Sequence, residues 1–255
     1  MMRLRILGCS GGIEAGQHTT SMLLDDDILI DAGTGVGTLT LEQMTAIDHI
    51  FLSHSHLDHS GFIPFLLDSV SARRGHPLTV FALAETIQIL RDHMFNWKLW
   101  PDFSKIPKPE SPWLRYQAVR IGETVELNGR KVTALPARHV VPTIGFLLDS
   151  GSACLAFSAD TIDCAEFWDA LNQVENLKTL IIETSFTNAE NGIAYASKHY
   201  YPSLLAEQLQ KLSKPVEVYI THLEPGEQEA IMSEVRACVT GFNPVRLNHG
   251  HIFEF

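Results

Sequence analysis

The chain has few cysteines, and none is placed for a framework. Cys9, Cys154, Cys164 and Cys238 are scattered, with no CxxC pair. That argues against a zinc ribbon or a disulfide-stapled fold and suits a reduced compartment. Long apolar runs are also missing, and no stretch reaches the ~20 residues that a membrane span needs. The opening "MMRLRILGCS" has too short an apolar core for a signal peptide and reads as a strand entering a turn. A cytoplasmic location without a membrane partner is the expectation. Positive charge is scarce, with 19 Lys and Arg against 30 Asp and Glu and a net charge of −11. Such a surface repels polyanions, so no nucleic-acid partner is expected. A small anion held by bound cations stays open, because the cations dominate the local field. No internal repeat, low-complexity tract or linker stands out. With 255 residues and 45% hydrophobic content, one large core in a single domain over 1–255 is expected.

Against these absences stands "HSHLDH" at 54–59, three histidines and an aspartate in six positions. A solvated loop draws on Gly, Ser, Asn and Lys instead, and a buried segment satisfies so many imidazoles only with a strong partner. From this composition HxHxDH arises by chance in about one chain per thousand of this length. The run follows the apolar strand "HIFLS" (49–53) and precedes "GFIPFLLDSVSARRG", whose Phe62, Phe65, Leu66 and Val70 have helical spacing. It therefore sits on a strand-to-helix loop. His54 and His56 point the same way in extended backbone, and a turn sends Asp58 and His59 to a second point nearby. This geometry suits two metals about 3.5–4 Å apart.

Elsewhere, short apolar strands alternate with helical stretches. "LRILG" (4–8) is a first strand, "SMLLDDDILIDAG" a hairpin turning at Asp25–Asp27, and "ETVELNGRKVTALPA" a hairpin around Asn128–Gly129. The pattern predicts helices over 34–44, 84–95, 200–212 and 226–238, with strands at 78–83, 178–182, 216–220 and 251–255. So many hairpins exclude a plain doubly wound sheet. Two mixed sheets packed together, with helices outside, fit better. An aromatic- and proline-rich insert spans 92–117 and carries three of the four tryptophans, Trp97, Trp100 and Trp113. A linker does not carry that apolar load, so the insert should pack on the body near a site.

"SHSHLDHSGFIPFLL" resembles the HxHxDH signature of the metallo-β-lactamase superfamily, and within it the class II cyclic-nucleotide phosphodiesterases. The resemblance implies an α/β fold, an αββα sandwich of two mixed β-sheets, with a dinuclear centre at one edge. It also implies later ligands on strand ends: His139 in "PARHVVP", Asp160 in "LAFSADT" and His222 in "VYITHLEP". On this likeness one metal takes His54, His56 and His139, the other Asp58, His59 and His222, and Asp160 bridges. All-N/O ligation suits Zn²⁺, Mn²⁺ or Fe²⁺. Asp31 in "ILIDAGTG" is similar to the family's buried aspartate that steadies the metal loop, but an Asp beside glycines also suits a plain turn. Gly33 and Gly35 let the backbone pass close by.

In "IIETSFTNAENGIAYASKHY" a strand-end Glu183 precedes His199, as in phosphodiesterase branches where the Glu orients a His that protonates the leaving oxygen. Here Tyr200–Tyr201–Pro202 follows where the family shows a hydroxyl residue. "HMFNWKLWPDFSKIP" is similar to a stretch of the cyclic-nucleotide enzymes, which implies that Phe95, Asn96, Trp97, Trp100 or Phe103 walls a purine. The alternative for that stretch is a lid that merely closes the core. His18, His49, His76 and His93 read as surface or satisfied core groups. His249 and His251 share one strand face, with a site role left open. The implied reaction is hydrolysis of a 3′,5′-cyclic nucleotide to its 5′-monophosphate by a metal-activated hydroxide, with Asp58 and His199 in the chemistry. A tRNA 3′-processing endonuclease is the alternative, followed by hydrolysis of a lactone or thioester, and then a non-catalytic nucleotide-binding module. Members of the superfamily often pair through surface helices, so a homodimer is compatible with the likeness.

Overall fold

The computed structural model describes residues 1–255. Strands β1 (Arg3–Gly8), β2 (Ser21–Leu24), β3 (Ile28–Ala32), β4 (His49–Phe51) and β5 (Leu78–Ala82) form in the first third. A small ribbon of β6 (Pro107–Lys108) and β7 (Ser111–Pro112) precedes β8 (Leu114–Ala118). The chain then supplies β9 (Thr124–Leu127), β10 (Arg130–Pro136), β11 (Ile144–Asp149) and β12 (Cys154–Phe157). It continues through β13 (Leu177–Glu183), β14 (Glu217–Thr221), β15 (Val245–Arg246) and β16 (Ile252–Glu254). The helices are α1 (Leu41–Ala46), α2 (Leu57–Ser60), α3 (Ile63–Val70), α4 (Ala84–Ile89), α5 (Ala165–Asn172), α6 (Asn191–Ser197), α7 (Pro202–Leu209) and α8 (Gln228–Cys238). None is long and apolar enough to cross a membrane.

One sheet runs β16-β1-β2-β3-β4-β5-β8 and the other β15-β14-β13-β12-β11-β10-β9. Each starts from antiparallel hairpins and ends in parallel strands. The turn from antiparallel to parallel falls at β3–β4 in one sheet and at β12–β13 in the other. Their inner faces share a core in which Leu4, Ile6, Met22, Leu24 and Ile30 meet Val132, Ile144, Phe146, Leu148 and Phe157. Phe51 stacks on Phe81 of the neighbouring strand at 4.7 Å and takes Phe146 edge-on at 5.9 Å. A second apolar layer joins the outer face of the first sheet to α3, α4 and the turn after α4, through Leu66, Leu67, Val70, Ile87 and Leu90. A third joins the other sheet to α5, α7 and α8, through Phe167, Trp168, Leu205, Leu209, Ile231 and Val235. Each buried side chain of this size contributes about 1.5–3 kcal/mol. The αββα sandwich is thus present in full.

Several elements differ from the sequence expectation. The helix expected over 34–44 is a 3₁₀ turn at Thr34–Thr38, then an extended Leu39–Thr40, then α1. Gly35 and Gly37 with Thr34, Val36 and Thr38 are poor helix formers. Thr40 also caps α1, accepting from Gln43 N at 3.2 Å while the Gln43 side chain accepts from Thr40 N at 3.0 Å. The helix expected over 84–95 gives way at Leu90 to a π-helical turn through Met94. The helix expected over 200–212 starts only at Pro202, whose missing N–H suits a first turn, and α6 before it was not anticipated. The insert is less loop-like than its prolines suggest. Its end forms β8, which pairs in parallel with β5 and widens the first sheet.

Candidate metal centre

The candidate donors leave the carboxyl ends of strands that run in one direction. β3 and β4 are parallel, as are β12, β13 and β14, and β10 lies two antiparallel steps from β12. In α/β folds such strand ends are where ligands bind. From the first sheet, β4 leads through Ser53 into His54 and His56, and the single turn of α2 presents Asp58 and His59. From the second, His139 follows β10, Asp160 follows β12, Glu183 ends β13 and His222 follows β14.

Local backbone strain aims three of these groups. Asp31, Ala159 and His222 have φ of +57°, +52° and +61°. For residues other than Gly this conformation costs about 1–2 kcal/mol. Ala159 turns Asp160 inward at the end of β12. Gly33 serves by close approach: a Cβ there would lie 2.1 Å from the Asp58 carbonyl oxygen. Gly35 instead packs against Leu7 and Ser21, away from the donors.

Seven side chains converge in two groups: His54, His56, His139 and Asp160, and Asp58, His59, Asp160 and His222. Within each group the donor atoms lie within 4.8 Å of one another, and Asp160 belongs to both. Its carboxylate is 3.3 Å from His59 Nε2, 3.3 Å from His222 Nε2, 3.6 Å from His54 Nε2 and 3.9 Å from His139 Nε2. His56 approaches His139 Nε2 through its Nδ1 at 3.3 Å.

The outward ring nitrogens are held by the protein. His59 Nδ1 meets Asp31 Oδ2 at 2.7 Å, His54 Nδ1 meets Ser53 Oγ at 3.0 Å, and His139 Nδ1 meets the Lys198 carbonyl at 3.2 Å. His222 Nδ1 meets Ser185 Oγ at 3.0 Å. With Nδ1 so engaged, Nε2 carries the lone pair inward, the arrangement that ligating histidines adopt. Asp31, fully buried, also accepts from Ser53 N at 2.7 Å and Ser53 Oγ at 2.8 Å. It braces the loop and is no simple turn residue.

Electrostatics point the same way. Burial pushes His54 well below the usual imidazole range, and His139 down to about 4. Burial opposes protonation of His222 too, but Asp160 and Asp58 outweigh it and raise it to about 9. His59 is raised by Asp160, Asp58 and Asp31 against its burial. Burial favours neutral Asp58 and Asp160, yet the surrounding imidazoles hold both well below the carboxylate range. Two anionic carboxylates among five imidazoles form a cation site. His54 Nε2 and His59 Nε2 are buried with no hydrogen-bond partner, which costs about 1–3 kcal/mol per group when nothing fills the role. The donor set fits divalent metal ions.

Beside the donors, His199 Nδ1 lies 2.9 Å from Glu183 Oε1. Glu183 is fully buried and also accepts from Thr161 N, Ser185 Oγ and Tyr200 N. Burial lowers the His199 pKa, but the Glu183 charge and hydrogen bond prevail and raise it. The His199 ring sits 4.8 Å from that of His139 and 5.2 Å from that of His222, so it flanks both donor groups. It occupies the link between α6 and α7, after Lys198 at φ +57°.

The family model described as the β-lactamase superfamily domain matches residues 26–223. The chain belongs to the metallo-β-lactamase superfamily. A probable 3′,5′-cyclic-nucleotide phosphodiesterase from Yersinia pestis is 27% identical, over 88% of this chain and 78% of that protein. A ribonuclease Z from Halorubrum lacusprofundi is 28% identical over 58% of this chain, and the match spans 47% of that protein. Unliganded yeast PDE1 superposes with a TM-score of 0.83, covering 98% of each chain at 18% identity, a likeness of fold. These phosphodiesterase and ribonuclease relatives within the superfamily are hydrolases.

The aromatic residues expected to wall a purine are distributed differently. Phe95 and Phe103 are 2% and 3% exposed, locked in the outer core, and offer no face to a ligand. Asn96 is spent on its own loop, donating to Asp92 O at 2.8 Å and accepting from Lys98 N and Leu99 N at 2.9 Å each. Trp97 is exposed, and Trp100 meets Phe65 edge-on at 5.2 Å. Trp100 and Phe65 line a 350 Å³ groove with Leu57, Phe62, Met94 and Leu99. His249 donates from Nδ1 to Leu7 O at 2.8 Å, and His251 packs on Tyr219 and Phe253; neither joins the donor groups. Ser53, Ser185 and Lys198 were not anticipated. The one signal for the serines is their place one or two residues from a strand-end donor.

Proposed function

We propose that the protein is a metal-dependent phosphodiesterase that hydrolyses 3′,5′-cyclic nucleotides to 5′-monophosphates. The observation that carries this reading is the pair of donor groups sharing Asp160, flanked by a buried Glu183–His199 pair. The Yersinia relative supports the subclass, because its likeness extends over 88% of the chain whereas the ribonuclease Z match covers 58%. The net charge of −11 also disfavours a tRNA substrate. The four cysteines are free thiols, in keeping with a cytoplasmic enzyme.

His54, His56 and His139 would hold one divalent cation, Asp58, His59 and His222 a second, with Asp160 between them. Zn²⁺ suits this donor set first, then Mn²⁺ or Fe²⁺. When bound, the two cations supply Lewis acidity toward the phosphodiester and toward water. The chain's own groups do the rest. Asp58, with 27% of its side chain exposed, reaches the opening and orients the attacking water. Glu183 holds His199 with Nδ1–H toward the carboxylate, so Nε2 faces the reacting phosphate and gives its proton to the departing 3′ oxygen. The base of the nucleotide lies in the groove of Leu57, Phe62, Phe65 and Trp100, which borders the metal loop because Leu57 stands between His56 and Asp58. The groove is apolar, so stacking and not hydrogen bonding reads the base.

Product analysis tests the proposal. Protein loaded with Zn²⁺ or Mn²⁺ should convert cyclic AMP and cyclic GMP to the 5′-monophosphates, and a chelator should stop it. Absence of turnover at full metal loading, with cleavage of precursor tRNA instead, would replace the phosphodiesterase reading by the ribonuclease one.

A further inference from the structure

We propose that Ser185 is a positioning residue whose hydroxyl ties the metal ligand His222 to the Glu183–His199 pair. The inference rests on the phosphodiesterase reading above and specifies how its acid is prepared. Ser185 is fully buried between β13 and α6. Its Oγ lies 3.0 Å from His222 Nδ1, 3.2 Å from Glu183 Oε2 and 3.2 Å from His199 Nδ1. His199 Nδ1 has a closer partner in Glu183 Oε1 at 2.9 Å, so its proton goes there. The serine's single proton goes to Glu183 Oε2, and its lone pairs face His222 Nδ1.

The direction of each contact follows from the donors and acceptors available. Where Nε2 gives its lone pair to a cation, Nδ1 carries the proton and donates to Ser185 Oγ. The serine O–H donates to Glu183 Oε2. That carboxylate already accepts from Tyr200 N at 3.3 Å on the same oxygen, and from Thr161 N and His199 on the other. With all its donors in place Glu183 is fixed in one plane, and so is the imidazole it carries. One hydroxyl thereby ties the metal ligand His222 to the carboxylate that orients His199.

Ser185→Ala removes one oxygen and leaves packing otherwise intact. Zinc titration against a chelating dye should show the weaker of two binding steps reduced about 10–100-fold, as for other partners of ligating histidines. At saturating zinc, turnover of cyclic AMP, with its poor alkoxide leaving group, should stay depressed more than turnover of bis(p-nitrophenyl) phosphate. Unchanged zinc affinity overturns the link to His222. Weaker zinc with equal loss on both substrates at saturation overturns the link to His199. If the unaltered protein does not turn over cyclic AMP, the functional reading fails by itself, and the zinc titration still decides whether Ser185 supports the metal ligand.

Discussion

Asp31→Asn separates the role of Asp31 in the fold from its role in the metal centre. Asp31 sits at φ +57°, which Asn tolerates almost as well as Asp, so the backbone is not disturbed. Its Oδ1 can still accept from Ser53 N, now at 2.7 Å. The other position changes sign: an NH₂ replaces the oxygen that lies 2.7 Å from His59 Nδ1 and 2.8 Å from Ser53 Oγ. Facing a donor, His59 must move its proton from Nδ1 to Nε2, the buried atom 3.3 Å from Asp160 that would bind metal. Ser53 Oγ, receiving a proton from the amide, turns its own O–H toward His54 Nδ1 at 3.0 Å and presses that ring toward the same wrong tautomer. The stability cost should be modest, about 1–2 kcal/mol for the weakened hydrogen bonds. Metal affinity should fall at least 10–100-fold. Asp31→Ala should behave differently, because it orphans the buried Ser53 N and takes from His59 Nδ1 its 2.7 Å partner. That costs several kcal/mol at about 1–3 per buried group, out of a typical total of about 5–15. Thermal unfolding of the metal-free variants, paired with zinc titration, reads both quantities. An Asp31→Asn protein that binds zinc like the parent would refute the tautomer argument.

Three further substitutions probe other parts of the site. Gly33→Ala places a Cβ 2.1 Å from the Asp58 carbonyl and 2.4 Å from Thr19 Oγ1, so the metal loop must shift; metal content after purification should drop, and a fully loaded variant would show that the close contact relaxes freely. His199→Ala should lower cyclic-nucleotide turnover about 10²–10⁴-fold, the usual worth of a general acid, and affect bis(p-nitrophenyl) phosphate far less; equal losses remove the acid role. Phe65→Ala, at a residue 52% exposed, should raise KM for cyclic AMP about tenfold, at 1–3 kcal/mol per stacked base, without changing kcat, while KM for bis(p-nitrophenyl) phosphate stays put. An unmoved KM for cyclic AMP would take the base out of this groove.

The strand-end donors were legible because they are chemically unusual where they stand. His54, His56, Asp58 and His59 crowd a loop, and His139, Asp160 and His222 each close an apolar strand. No core or solvated surface needs those types in that order. The sandwich followed from hairpin turns such as Asn128–Gly129, which sits at φ +51° and +80° as a tight β connection requires. Elements without such marks were lost or misplaced. α5 shows only Phe167, Trp168 and Leu171 in a short span, and α6 ends at a left-handed Lys198 that sequence does not flag. The run 34–44 carried an apolar pattern but too many Gly and Thr residues for one helix.

The aromatic insert packs differently from the expectation for another physical reason. An aromatic residue is equally at home in a core and against a ligand, since both environments reward removal of the same apolar area from water. Periodicity does not separate the two in a segment that is neither helix nor strand. Phe95 follows the π-helical turn at Leu90–Met94, which rotates its ring into the outer core. Asn96 then folds its carboxamide back over the loop, and Trp97 at φ +64° reverses the chain. Only after that reversal does Trp100 return against Phe65 and open the groove beside Leu57. Metal ligands announce themselves by type. Apolar contacts are assigned by backbone path, and here one non-α turn redirects every side chain after it.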